Sequence, residues 1–134
     1  MPYTVRHNPA SGFIEVTFTG LMTGADLREV TTKAISLSKQ EATTRFVIDA
    51  FAAELAALIY EIYDLPARQY VEEELSRETR AVVILPASEK ARAAALFYET
   101  ACRNRGWDVR TFSERQAAID WLTGNSVPGK PDAG

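Results

Sequence analysis

Residues 79–86 read TRAVVILP, a β-branched, apolar run with no alternation of polar and apolar positions. Such a run is the mark of a strand covered on both faces. Residues 44–50, TRFVIDA, have the same character. Two buried strands separated by helical sequence predict a parallel sheet joined by right-handed crossovers.

Working outward, YTVRH and GFIEVTFTG bracket the turn formers NPASG. Phe13, Glu15, Thr17 and Thr19 alternate with Ile14, Val16 and Phe18, which predicts an antiparallel hairpin with strands at about 3–7 and 12–19 and one buried face. Thr23 followed by Asp26 forms a near capping box, and Leu27, Val30, Ala34 and Leu37 recur at helical spacing over 24–40. ELAALIYEIYDLPARQYVEEELSRE, 54–78, is helical in period but interrupted, because proline disfavours helix at the preceding residue. The expectation is a short helix to about Tyr63 and a second from Pro66 to Leu75, with Asp64 as its cap.

Beyond Pro86, a long helix carries Ala94, Phe97, Tyr98 and Ala101 inward and stops at Gly106, placed for a left-handed cap. WDVRTF then reads as an edge strand. SERQ, 113–116, has the pattern of a full capping box opening a last helix that buries Ala117, Ile119 or Ala118, and Leu122. The order is β-β-α-β-α-β-α-β-α, an α/β layer sandwich with a mixed, mostly parallel five-stranded sheet covered by helices. A single domain is expected over 1–123, with the glycine- and proline-rich 124–134 as a disordered tail.

The chain has 134 residues, enough to bury a core without disulfide or metal. It is 46% hydrophobic and 25% charged, an ordinary globular balance, and its net charge of −3 argues against a nucleic-acid partner. Cys102 stands alone, which excludes an internal disulfide. The first residues show no secretory leader and no apolar stretch reaches membrane-spanning length, so a soluble cytoplasmic protein is expected.

Most enzyme chemistries lack their residues. The only histidine, His7, would have to serve any Ser-His or Cys-His pair, yet it adjoins a turn and reads as a solvated polar residue. One His and one Cys do not furnish a soft-metal site, and neither GxGxxG nor GxxxxGK[ST] occurs. Cys102 lies at a helix C-terminus, where the dipole disfavours a thiolate, so it reads as a half-buried inert residue. Arg103 and Arg105 complement that same dipole, or alternatively contact a phosphate or carboxylate. Glu72, Glu73 and Glu74 point in different directions and do not converge. Asp49 is the only acid expected near a sheet crevice, and it equally suits a turn cap. No catalytic residue, cofactor or metal is therefore expected.

The strand order, with FYETACRNRGWDVRTFSERQAAIDWL at 97–122, resembles the SpoIIAA-like family, also described as STAS/SEC14-like domains. The likeness covers about 3–123 and rests on Phe97-Tyr98, NRGW at 104–107, AAIDWL at 117–122, and DLP at 64–66 followed by Tyr70. It implies a mixed sheet covered by helices and a non-enzymatic role. In the anti-sigma-factor antagonists of this superfamily, the turn after the third strand carries a phosphorylatable serine. Here that turn, 49–53, is Asp-Ala-Phe-Ala-Ala, so the resemblance does not extend to the phosphoswitch.

In open α/β sheets, ligands bind outside the C-terminal ends of the strands. Those ends deliver Thr23 and Gly24, Asp49 and Phe51, and Ser88: a mostly apolar rim with free helix N-termini, the edge at which the related regulators dock protein partners. LIYEIYDLPARQYV adds Leu58, Ile59, Tyr60, Ile62, Tyr63 and Tyr70, more apolar groups than a broken helix easily buries. Three readings follow. The first is an interaction or regulatory module binding a protein partner or forming a homodimer, with a flat exposed patch and no internal void. The second is a binder of a lipid or other apolar small molecule, which needs a closed cavity of about 300 Å³ or more. An enzyme, the third, requires polar groups converging on Asp49.

Overall fold

The computed structural model describes residues 1–124, so the expected tail beyond Gly124 lies outside the described residues. The two unalternating runs form β4 (Arg45–Asp49) and β6 (Arg80–Ile84), parallel neighbours at the centre of a five-stranded sheet. Its order is β1 (Tyr3–Asn8), β2 (Phe13–Phe18), β4, β6, β7 (Asp108–Phe112). Only β1 runs antiparallel, in the predicted hairpin with Tyr3 opposite Phe18.

Each central strand serves two cores. Phe46, Ala81, Val83 and Val109 face a large cluster under α1 (Gly24–Gln40), the middle helices and α4 (Glu89–Asn104). Val47, Val82, Ile84 and Phe112 face a smaller cluster under α5 (Arg115–Thr123). The expectation of one buried face for β2 is corrected here. Phe13 and Glu15 are also buried, because β2 lies inside the sheet and α5 covers its second face.

The predicted break at Pro66 does not occur. α2 (Ile59–Asp64) runs into a π-helical turn, Leu65–Gln69, and on into α3 (Tyr70–Glu72). The Tyr70 amide reaches back five residues to the Leu65 carbonyl. Proline has no N–H to give and its ring clashes with the carbonyl four residues back, so a widened turn absorbs it without ending the helix. Two further strands, β3 (Leu21–Met22) and β5 (Glu54–Leu55), pair in parallel beyond the C-terminal end of the sheet.

The Thr23–Asp26 capping box is present and Gly106 is left-handed at φ 82°. The one predicted at SERQ is absent: Glu114 stands at the N-cap of α5 without a side-chain bond. Of the expected buried face Ala118 and Leu122 are buried, whereas Ala117 is exposed and Trp121 takes the remaining place. His7 and Cys102 also depart from expectation. The imidazole Nδ1 lies 3.2 Å from Glu41 Oε1, and Cys102 is wholly rather than half buried.

Candidate functional site

The rim at the C-terminal ends of the parallel strands brings together Thr23, Gly24, Asp49, Phe51 and Ser88, each held by the local demand of its own turn. Thr23 Oγ1 accepts from the Asp26 amide while Asp26 Oδ2 accepts from the Thr23 amide, which holds the Asp26 carboxyl below its usual range. Ser88 Oγ accepts from the Ala91 amide at the start of α4. Asp49 Oδ1 accepts from the Phe51 amide at 3.1 Å. Gly24 has a specific role, because a Cβ there would collide with the Glu61 carboxylate. That carboxylate also accepts from the Leu58 amide and lies 3.4 Å from Arg28. The N-terminus of α1 is thus covered by the chain's own acid, not free as the sequence suggested.

A polar cluster does reach Asp49. Arg115 Nη1 lies 3.3 Å from Asp49 Oδ2 and its Nη2 lies 2.8 Å from Glu15 Oε2. Both acids are thereby shared with one guanidinium, which offsets part of their charge. Sequence reasoning missed Glu15 and Arg115: alternation put Glu15 on the solvent side, and Arg115 was read as part of a cap. His7 pairs with Glu41, while the Cys102 thiol is pushed up to about 12 by burial against the partial relief of a hydrogen bond from Tyr98. Neither is placed as a nucleophile or its base. Among the described residues, no group of His, Cys, Asp or Glu side chains could hold a metal ion.

The aromatic segment divides. Ile62 and Tyr70 are buried; Tyr70 meets Trp107 edge-on at 5.6 Å and its hydroxyl bonds that of Tyr98. Leu58, Ile59, Tyr60 and Tyr63 point outward, 57%, 52%, 68% and 43% exposed, and Phe51 is 60% exposed in the turn after β4. Five of the nine exposed large apolar side chains among the described residues therefore fall between positions 51 and 63. Arg105 lies over the Tyr63 ring and donates to its hydroxyl, so it has a partner within the chain, whereas Arg103 is simply exposed.

Under α2 and α3 lies a partly open apolar cavity of about 140 Å³, between the sheet and α1, α4 and the middle helices, where the interaction-module reading expected no internal void. This is less than half the volume the lipid reading needs.

No protein-family model matches the chain, and no curated protein matches it. Two solved structures share its architecture. One is an uncharacterized protein of the DUF3478 family with a SpoIIAA-like fold, from Shewanella loihica PV-4. It is 17% identical with a TM-score of 0.53, over 90% of this chain and 91% of that one. The other is the anti-sigma factor antagonist SpoIIAA in its unphosphorylated form, 15% identical with a TM-score of 0.56, over 91% and 98% of the two chains. The fold is SpoIIAA-like, as the sequence resemblance implied. No described helix is long and apolar enough to cross a membrane.

Proposed function

We propose that the chain is a non-catalytic protein-interaction module of STAS-like type, docking a protein partner on the surface that runs from Phe51 along Leu58, Ile59 and Tyr60 to Tyr63. The observation that carries this reading is the concentration of exposed apolar side chains there, beside polar rim groups already committed to caps and ion pairs. An apolar centre with a polar surround suits a transient protein interface. The turn at 49–53 bears no hydroxyl, so the module works without a phosphoserine at that point. A lone, buried cysteine fits a reducing cytoplasm.

Site-specific photo-crosslinking tests the reading, with the crosslinker at Tyr60 or, as a control, at exposed Gln116 on α5. A protein captured at 60 and not at 116, and lost in the Ile59→Asp variant, supports it; a second copy of this chain is one such outcome, read out by native mass spectrometry. Equal capture at both positions, or capture that survives Ile59→Asp, overturns it.

A further inference from the structure

The cavity beneath the rim has a chemistry of its own. It persists because alanines stand where the sheet and the two long helices face each other: Ala34 on α1, Ala81 on β6 and Ala94 on α4 all line it. Its volume of about 140 Å³ is close to the ~150 Å³ of an engineered apolar cavity that takes up benzene, and well short of the ~300 Å³ of a drug-sized site. One six-membered ring fits; a lipid chain does not.

The polar groups in its wall narrow the ligand further. Glu54 and Asp108 are exposed and Thr31 half-buried, so these can turn to water. The Tyr70 and Tyr98 hydroxyls bond each other. Thr79 is different: it is only 6% exposed and its hydroxyl has no partner. A lone water is a poor remedy, since a buried water needs two to four polar neighbours. An apolar body carrying one hydroxyl answers both the walls and the orphan group. There is also a route inward. Leu75 and Thr79 line the cavity and, from the other side, a second crevice of about 360 Å³ that includes Ser38, Lys39, Thr43 and Ser76.

We propose that this cavity binds a single-ring phenol, or an alcohol of similar size, whose hydroxyl hydrogen-bonds Thr79 Oγ1 and which enters past Leu75. The ligand is smaller and more polar than the lipid or other apolar small molecule expected from sequence, and the site stands or falls separately from the protein-docking surface.

The test uses two isosteric probes, 4-fluorophenol and 4-fluorotoluene, titrated into the full chain and followed by fluorine NMR. Saturable binding of 4-fluorophenol is expected. Thr79→Val keeps the side-chain shape and removes only the orphan hydroxyl, so it folds at least as stably as the parent. It should weaken 4-fluorophenol about threefold to tenfold, the size of one hydrogen bond, and leave 4-fluorotoluene within about twofold. Thr79→Ser should restore the phenol affinity, and Ala94→Met, which fills the cavity from α4, should abolish binding of both probes. The proposal is overturned if 4-fluorophenol does not saturate, if Thr79→Val weakens both probes alike or neither, or if binding survives Ala94→Met in a folded protein.

Discussion

Replacing Trp107 by alanine is the sharpest probe of how the sheet, the π turn and the end of α4 are joined. The indole is 3% exposed and lies just after the left-handed Gly106. It takes the edge of Tyr70 at 5.6 Å, and its Nε1 donates to the Pro66 carbonyl at 3.4 Å. The Arg77 guanidinium covers the ring at 3.8 Å and donates to the Arg105 carbonyl at the end of α4. Truncating a buried Trp costs about 3–5 kcal/mol in lost transfer and cavity terms. The exposed arginine stack adds about 0.5–1 kcal/mol, and the long N–H···O contact adds little. The sum is about 3.5–6 kcal/mol, which for a chain of this length lowers Tm by roughly 10–20 °C. Trp107→Phe keeps a ring against Tyr70 and should cost only about 1–2 kcal/mol. Urea titration at 25 °C gives both values, provided the slope with denaturant matches the parent. If Trp107→Ala lies within about 1 kcal/mol of the parent, or Ala and Phe cost the same, the indole is not the joint described.

Three further perturbations test other parts of the packing. Glu99 is buried on α4, and its carboxylate accepts from the Thr111 amide at 2.8 Å and the Thr111 hydroxyl at 3.1 Å; Glu99→Ala leaves an unpaired amide on the edge strand and should cost about 2–4 kcal/mol by chemical denaturation, whereas a neutral result would mean that water satisfies that amide. Arg115→Ala strips the counterion from Glu15, whose side chain is 8% exposed; because the arginine itself is 42% exposed, the cost should be about 1–2 kcal/mol, and Glu15→Met should recover most of it. Cys102 has its folded pKa raised from 9.0 to about 12 by burial, with Tyr70 and Tyr98 raised for the same reason. Above pH 9 the unfolded thiol loses its proton while the folded one keeps it, so stability declines from about pH 9 towards 12. Denaturation midpoints across that window should fall less steeply in Cys102→Ala, and native protein should resist iodoacetamide at neutral pH.

What could be read from the sequence was whatever local chemistry fixes. Thr23 and Asp26 form their box because the partners are three residues apart, and Gly106 turns left-handed because only glycine does so freely. β4 and β6 announce burial on both faces by composition alone. β2 does not, because Glu15 breaks its apolar character; that glutamate is tolerated inside only through Arg115, a hundred residues away. The SERQ box is missing because α5 starts one residue later than its pattern requires, with Glu114 and not Ser113 at the N-cap. β3 and β5 are two residues long and carry no periodicity to detect. The site was legible in its apolar members; Ile62 inside with Ile59, Tyr60 and Tyr63 outside is the ordinary single buried face of α2, whereas the placement of Tyr70 depended on the π turn, which shifts the helix register past Pro66.

The rim's polar groups and its apolar groups make opposite contributions to recognition. Thr23 and Ser88 already cap helices through their hydroxyls, and a ligand that displaced either cap would cost about 1 kcal/mol. Asp49 is shared with the Phe51 amide and Arg115, and Glu61 with the Leu58 amide and Arg28, so a ligand at either competes with contacts already made. Phe51, Leu58, Ile59 and Tyr60 have no such commitments, and burying each against a partner returns about 1 kcal/mol or more. Affinity at this surface should therefore track apolar area and be nearly blind to rim charge. Asp49→Asn, which keeps the turn cap, should leave partner binding within about twofold, while Ile59→Asp, which sets a charge at the centre of the patch, should weaken it by a hundredfold or more, about 3 kcal/mol. If the ranking is reversed, with Asp49→Asn the damaging change, recognition at the rim is electrostatic and the apolar side chains are bystanders.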